Sequence, residues 1–453
     1  MNGRRGHIDA RRRAGTVLIV TIWVVLVLAG LALVFGRSTR VAMLVSANQI
    51  ASLHVECTAA GALAYVQAQL GLDQETSTLQ TSVPYEAMQV GEGYFWVLRS
   101  NLEDDRQRDY GPTDEAGKIN LNSAPLEALL KLPGMTAELA ASIIDWRDED
   151  DEISPGGAES EYYLLLEEPY NCKNGPFETV EEVLLVKGAS EELLYGEDTN
   201  LNGILDDNEN DADASDPPDN RNGRLDRGFY DYVTVYSVEP NTDTAGGQRI
   251  NVTNANNIQP LAQKIIEVVG EERLTQLNYL PQGRQVRNLL EFYYRSGLKI
   301  EEFEQIADSL TTSDAETLSG LVNVNTAAKE VLMCLPGLEE SDADALVSYR
   351  KAGEGLESIA WVTKVLEEEK AIAVGGAITT RSFQYSADIV CAAADGRAYK
   401  RIKAVFDTRE GAAKVVYWKS LTHFGWPLEQ DVLTGLRSGG ALAAIHWRAE
   451  GRK

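Results

Sequence analysis

Asp198, Asn200 and Asn202 stand at alternate positions ahead of Gly203, and Glu209 follows after five intervening residues. Oxygen-bearing side chains at that spacing, a glycine for the sharp turn and a closing carboxylate suit a hard divalent cation. Calcium takes roughly six to eight oxygen ligands. Asp198, Asn200 and Asn202 supply three side chains, Ile204 a backbone carbonyl, Asp206 the ninth position directly or through water, and Glu209 a bidentate closure. The flanking sequence is poor in long helical patterns, so the expectation is an isolated structural calcium loop and not a sensor. Its work would be to neutralise clustered carboxylates and order a segment otherwise disordered. A second, degenerate candidate follows in Asp216, Asp219, Asn220, Asn222, Gly223 and Asp226. Pro218 stands where its first ligand belongs, so Asp216 or Asp219 must substitute, and plain turn chemistry is the alternative.

Other chemistry finds no support. There is no nucleophile elbow, P-loop, HExxH or dinucleotide fingerprint. Gly246-Gly247 and Gly375-Gly376 lack the neighbours of a phosphate loop. No enzyme activity and no small-molecule substrate are expected. The four cysteines, Cys57, Cys172, Cys334 and Cys391, show no CxxC spacing and are too few for a disulfide scaffold, although a single disulfide stays open.

The candidate loop lies within 196–228, a stretch almost without apolar residues. Helical sequence surrounds it, and that sequence repeats. Ile119-Asn120-Leu121-Asn122-Ser123-Ala124 leads to a short helix and Pro133-Gly134; Val322-Asn323-Val324-Asn325-Thr326-Ala327 leads to a short helix and Pro336-Gly337. A second helix follows each turn, a helix-hairpin-helix pattern. Ile250-Asn251-Val252-Thr253-Asn254-Ala255 is a third, weaker copy. Such hairpins often hold DNA phosphate. Here Glu138, Glu339, Glu340 and Asp342 follow the turns and would repel it. The net charge of −27 points the same way: residues 1–40 hold seven Arg and one Asp, leaving −33 on the rest. No nucleic-acid partner is expected.

The first element that must carry this body is Thr16–Phe35, an uncharged run long enough to cross a bilayer, preceded by Arg11-Arg12-Arg13. The expectation is a single-pass membrane protein with its N-terminus cytoplasmic and its body outside. After Gly36 the helical pattern continues to about Leu72, with Leu53, Ala60, Leu63, Val66 and Leu70 as its apolar positions. Tyr94–Leu98 reads as a strand, and the sequence from about 385 to 418 as three more with turns at Asp395-Gly396 and Glu410-Gly411. These four strands fit one antiparallel sheet. The expected fold is α+β: a long N-terminal helix packed on an antiparallel sheet, with a large helix-hairpin-helix-type domain inserted. The expected segments are 1–15, a leader; 16–36, the membrane half of the helix; 37–112, amphipathic helix and first strand; 113–380, the inserted domain; 381–425, the closing strands; and 426–453, a tail.

These features together resemble the minor pseudopilin K family of type II secretion systems. The segments carrying the resemblance are Arg11–Gly15, residues 114–150, residues 160–188, the oxygen-rich loop and the closing strands through Val415-Val416-Tyr417-Trp418-Lys419-Ser420. The resemblance implies a pilin-like core anchored in the bacterial inner membrane with its body periplasmic, cleavage between Gly15 and Thr16 by prepilin peptidase, N-methylation of Thr16, and assembly with other minor pseudopilins at the tip of a pseudopilus that exports folded proteins. Two features depart from the general pilin pattern: Thr16 stands at the first mature position, and Val20 where most pilins carry a glutamate, an absence typical of the K subunit. A competence-type DNA-binding protein and a minor type IV pilin are the alternatives.

Overall fold

The computed structural model describes residues 6–72, 84–212, 214–215, 219–278, 286–353 and 355–439. Helix α1, Gly6–Leu72, is 67 residues long and runs unbroken past Gly15 and Thr16. From Val17 to Val45 its large apolar side chains are exposed. Beyond that the helix docks on a sheet through Ala51, Val55, Thr58, Ala59, Ala62, Val66 and Leu70, all buried. Their spacing of three or four residues makes one stripe.

That stripe corrects the sequence expectation. Val66 and Leu70 are buried, but Leu53 is 64% exposed and Ala60 also faces solvent. The docked face is built of small residues because the helix approaches closely. A Cβ on Gly93 would stand 2.2 Å from Thr58 Oγ1, and one on Gly61 2.7 Å from Val90 Cγ1. Larger side chains would hold the helix off.

The sheet combines strands from widely separated parts of the chain. Met88–Val90 leads into β1 (Gly93–Arg99), which pairs with β2 (Gln384–Ala393); β3 (Tyr399–Asp407) and β4 (Lys414–Ser420) follow in antiparallel order. Val97 lies opposite Ile389, and Ile389 opposite Ile402. Phe95, Val97, Ile389, Ala404 and Phe406 face α1. The alternate residues Trp96, Leu98, Val390 and Ala392 pack under Leu428, Val432 and Leu436. The last two belong to helix Gln430–Arg437. With both faces covered, β1 and β2 read as nearly continuous apolar runs.

Between β1 and β2 the same unit occurs three times. Ile119-Asn120 pairs with Val233-Thr234, Ile250-Asn251 with Leu310-Thr311, and Val322-Asn323 with Ile378-Thr379, each pair parallel and two residues long. In each, the asparagine Oδ1 accepts the N–H two residues on, from Asn122, Thr253 and Asn325. In the first unit Leu126–Leu129 turns through Gly134 into α2, Ala137–Arg147; in the third Lys329–Met333 turns through Gly337 into α3, Glu340–Lys351. Both glycines have positive φ, 69° and 74°. Arg147 donates to the Leu121 and Ala124 carbonyls, and Arg350 to those of Val324 and Ala327. In the middle unit Ile258–Val269 leads through Gly270 into the short helix Glu271–Leu274.

Candidate functional site

The oxygen-rich segment sits between the first helical unit and the sheet. It begins after the short helix Glu191–Tyr195 and closes on a single turn at Asp207–Glu209. Leu201 and Gly203 take positive φ, 54° and 71°, and curl the chain around its own side chains. At Gly203 a Cβ would also stand 2.7 Å from Ser100 Oγ, so glycine is required twice over.

The side chains read from the sequence converge. Asp198 accepts from the N–H groups of Asn202 (3.0 Å) and Gly203 (2.8 Å). Asn202 Oδ1 accepts from Ile204 N at 2.6 Å. Glu209 accepts from Thr199 N and Asp206 N, each at 3.0 Å. Asp206 Oδ2 receives the amides of Asn200 (2.7 Å) and Asn202 (2.9 Å). Asp198, Asn202 and Glu209 are buried, and Asn200 Oδ1 is enclosed with no hydrogen-bond partner. Gathering carboxylates out of water is costly. Burial, reinforced by the charge of Asp231, pushes Asp198 up to about 6. Burial, with Asp198 and Asp206 adding to it, pushes Glu209 up to about 7. Among the described residues no group of three or more His, Cys, Asp or Glu stands ready to hold a metal. Any cation here therefore depends on amide and backbone oxygens as well.

The second segment copies the first by borrowing. Asn222 Oδ1 accepts from Arg224 N at 2.7 Å, and Asn220 and Asn222 turn their amides to Asp226, as Asn200 and Asn202 do to Asp206. The closing carboxylate is Glu197, which accepts from Asn220 N (3.4 Å) and Asp226 N (3.2 Å). Asn210 Oδ1 takes the N–H of Gly223 at 3.1 Å, the bond that Asp198 makes to Gly203. Asp219 holds Asp211 N and Ala212 N through one oxygen and accepts from Arg221 N of the loop at 2.6 Å through the other, and Asp216 lies outside the described residues. Glu197 and Asn210 went unread in the sequence because they stand outside the motif's own spacing. Both loops hang on one residue: Leu205 N donates to the Asp105 carbonyl and Leu225 N to its carboxylate, each at 2.9 Å.

A cation from the sheet clamps the first loop. Arg401 on β3 is fully buried, pairs with Asp388 of β2, and donates to the carbonyls of Asn200 and Leu201, each at 2.5 Å. Burial works against its charge, yet Asp388 outweighs that and raises its pKa. Arg227 bridges the carbonyls of Asn101 and Gly203 at 2.9 Å each. The sequence did not mark Arg401, which stands between Lys400 and Lys403 with no local sign of its burial.

Residues 101–195 match a family model for the first domain of Type II secretion system (T2SS), protein K, and residues 322–375 match a second model of the same description. Two separate segments of the chain thus carry type II secretion system protein K domains. Its role is that of a minor pseudopilin in type II secretion. No curated protein matches it. Among solved structures it is similar to a chain in the crystal structure of the GspK-GspI-GspJ complex from the enterotoxigenic Escherichia coli type 2 secretion system. Identity is 13%, with 82% of this chain and 97% of that chain covered and a TM-score of 0.37. The first protein K match ends just before the first oxygen-rich loop, so the loops lie between the two matched segments.

Proposed function

We propose that this protein K is the tip subunit of a pseudopilus and helps start or cap its assembly with other minor pseudopilins. The observation that carries the reading is α1: one helix whose first half exposes apolar side chains and whose second half is locked to a sheet. The exposed half, long and apolar enough to cross a membrane, suits a bilayer before assembly and a helical bundle afterwards. Val20 leaves that half without the buried carboxylate that a subunit above it would have to pair. The reading places the N-terminus in the cytoplasm, the body in the periplasm, and leader cleavage and N-methylation at Gly15 and Thr16. Mass spectrometry of the mature N-terminus tests it: methylated Thr16 is expected, and an intact Met1 in cells with active prepilin peptidase would refute it.

The helix pairs act, in this reading, as helix-hairpin-helix packing elements and not as DNA clamps. Glu138 stands at the first turn, paired with Lys187; at the second, Asp342 pairs with Lys370 and Glu340 with Lys329. Phosphate would meet carboxylates at both.

Calcium suits the first loop. Its donor set is all oxygen, burial raises Asp198, despite Arg227 nearby, and Glu209, and Asn200 Oδ1 is an enclosed acceptor without a donor. Asp198, Asn200, Asn202, Ile204, Asp206 and Glu209 would hold the ion, the amides presenting oxygen in place of nitrogen. Bound calcium supplies charge neutralisation and order and takes part in no reaction. The second loop would take an ion through Asn220, Asn222, Asp226 and Glu197. Calcium should raise Tm, and Asp198→Ala with Glu209→Ala should remove most of that rise; a wild-type protein indifferent to calcium would refute the assignment.

A further inference from the structure

Residues 148–172 contain nine Asp or Glu and neither Lys nor Arg. Within this acidic stretch the chain holds large apolar side chains in solvent: Leu165 is 87% exposed, Ile153 55%, Leu164 51% and Tyr162 39%. Leu165 N donates to the Tyr162 carbonyl, so both share one turn. Lys187 stands 5.2 Å over the Tyr162 ring and donates to the Gly156 and Gly157 carbonyls, which brings the segment after Ile153 against that turn. Beneath it Tyr163 is fully buried, stacked on Tyr170 at 5.3 Å and edge-on to Trp146 at 5.2 Å. The leucines are therefore displayed by a packed aromatic base and not by a slack loop.

Single exposed apolar residues are ordinary, but several held near one another on a packed base and rimmed by polar residues mark a protein contact. Here Lys187 is the cation at the patch and the local sequence is otherwise acidic. The rim decides the partner. A second copy of a chain with net charge −27 would set carboxylates against carboxylates. Anionic headgroups meet the same repulsion. We propose that Ile153, Tyr162, Leu164 and Leu165 form a knob that docks into an apolar socket ringed by Lys and Arg on another protein. This inference uses the surface alone and stands apart from the tip-subunit reading.

The test places a photo-crosslinking amino acid at Leu165 of the full-length chain, in cells carrying its own secretion system, and at exposed Glu192 as control. A crosslink specific to Leu165 is expected, mapping to a peptide of another protein in which apolar residues are flanked by Lys or Arg. Glu167→Lys with Glu168→Lys should cut its yield about tenfold or more while Tm stays unchanged, since both side chains are exposed. Should that pair lower Tm, Glu161→Lys, also exposed, replaces it. The proposal falls if no Leu165-specific crosslink forms, if the product is lipid, a second copy or an acidic peptide, or if charge reversal leaves the yield unchanged.

Discussion

Replacing Arg401 with methionine removes one cation from three places at once. Asp388 loses its bidentate partner while its side chain is only 17% exposed, and the Asn200 and Leu201 carbonyls lose their donors. Truncating one member of a buried pair costs about 3–5 kcal/mol, because the remaining charge stays desolvated. A loss of about 4 kcal/mol is expected for Arg401→Met, read from the urea midpoint at pH 7. Adding Asp388→Asn should recover roughly 2 kcal/mol by removing the stranded charge. Hydrogen exchange separates a sheet effect from a loop effect: the Asn202 and Gly203 amides, held by Asp198, should lose protection in Arg401→Met, and the calcium-dependent rise in Tm should shrink. A cost under about 1 kcal/mol would refute the energetic reasoning. A full cost with unchanged protection at Asn202 and Gly203 would refute the tether between sheet and loop.

Three further outcomes follow from the same structure. Glu197→Gln should lower the number of calcium ions bound, measured by equilibrium dialysis, while leaving the loop closed by Glu209 intact; unchanged stoichiometry would sink the borrowed-carboxylate reading. Gly93→Ala forces a Cβ to 2.2 Å from Thr58 Oγ1 and 3.0 Å from the Ala392 carbonyl, so a loss of roughly 1–3 kcal/mol is expected, with Thr58→Ala restoring part of it in thermal melts. Asp308 is held below the usual carboxylate range: burial opposes its charge, but hydrogen bonds from Thr244 and the Arg381 and Arg249 cations outweigh it. A depressed carboxylate contributes stability above its unfolded pKa and loses it as pH falls through the folded one. Asp308→Asn should therefore flatten the acid side of a Tm-against-pH profile, and an unchanged profile would count against the assignment.

Much of this protein was legible locally. The apolar run from Thr16 is written in consecutive residues, and so is the alternation of oxygen-bearing side chains around Gly203. The strands near 95 and from 385 to 418 carried their own apolar runs and turn residues, and a long helix with an antiparallel sheet followed from them. Periodicity told that α1 is amphipathic but not which stripe docks. Leu53 lost to Ala51 and Ala59 because contact distance, fixed by Gly61 and Gly93, favours small side chains over hydrophobic ones. The Asn-containing openings of the repeats were visible, whereas their closing strands, Val233-Thr234, Leu310-Thr311 and Ile378-Thr379, were not. A two-residue parallel strand has no period of its own and exists only through its partner. Glu197 and Asn210 are likewise invisible to a motif, since they serve a loop they do not belong to. Arg401 reaches its carbonyl partners across some two hundred residues of sequence, and nothing local in Tyr399–Asp407 says that its charge will be buried. Side-chain type and near-neighbour spacing determined which residues offer oxygen and which segment is apolar. Chain closure alone decided which distant cation, carboxylate and backbone meet them, because those contacts depend on how three helical units and a sheet pack together.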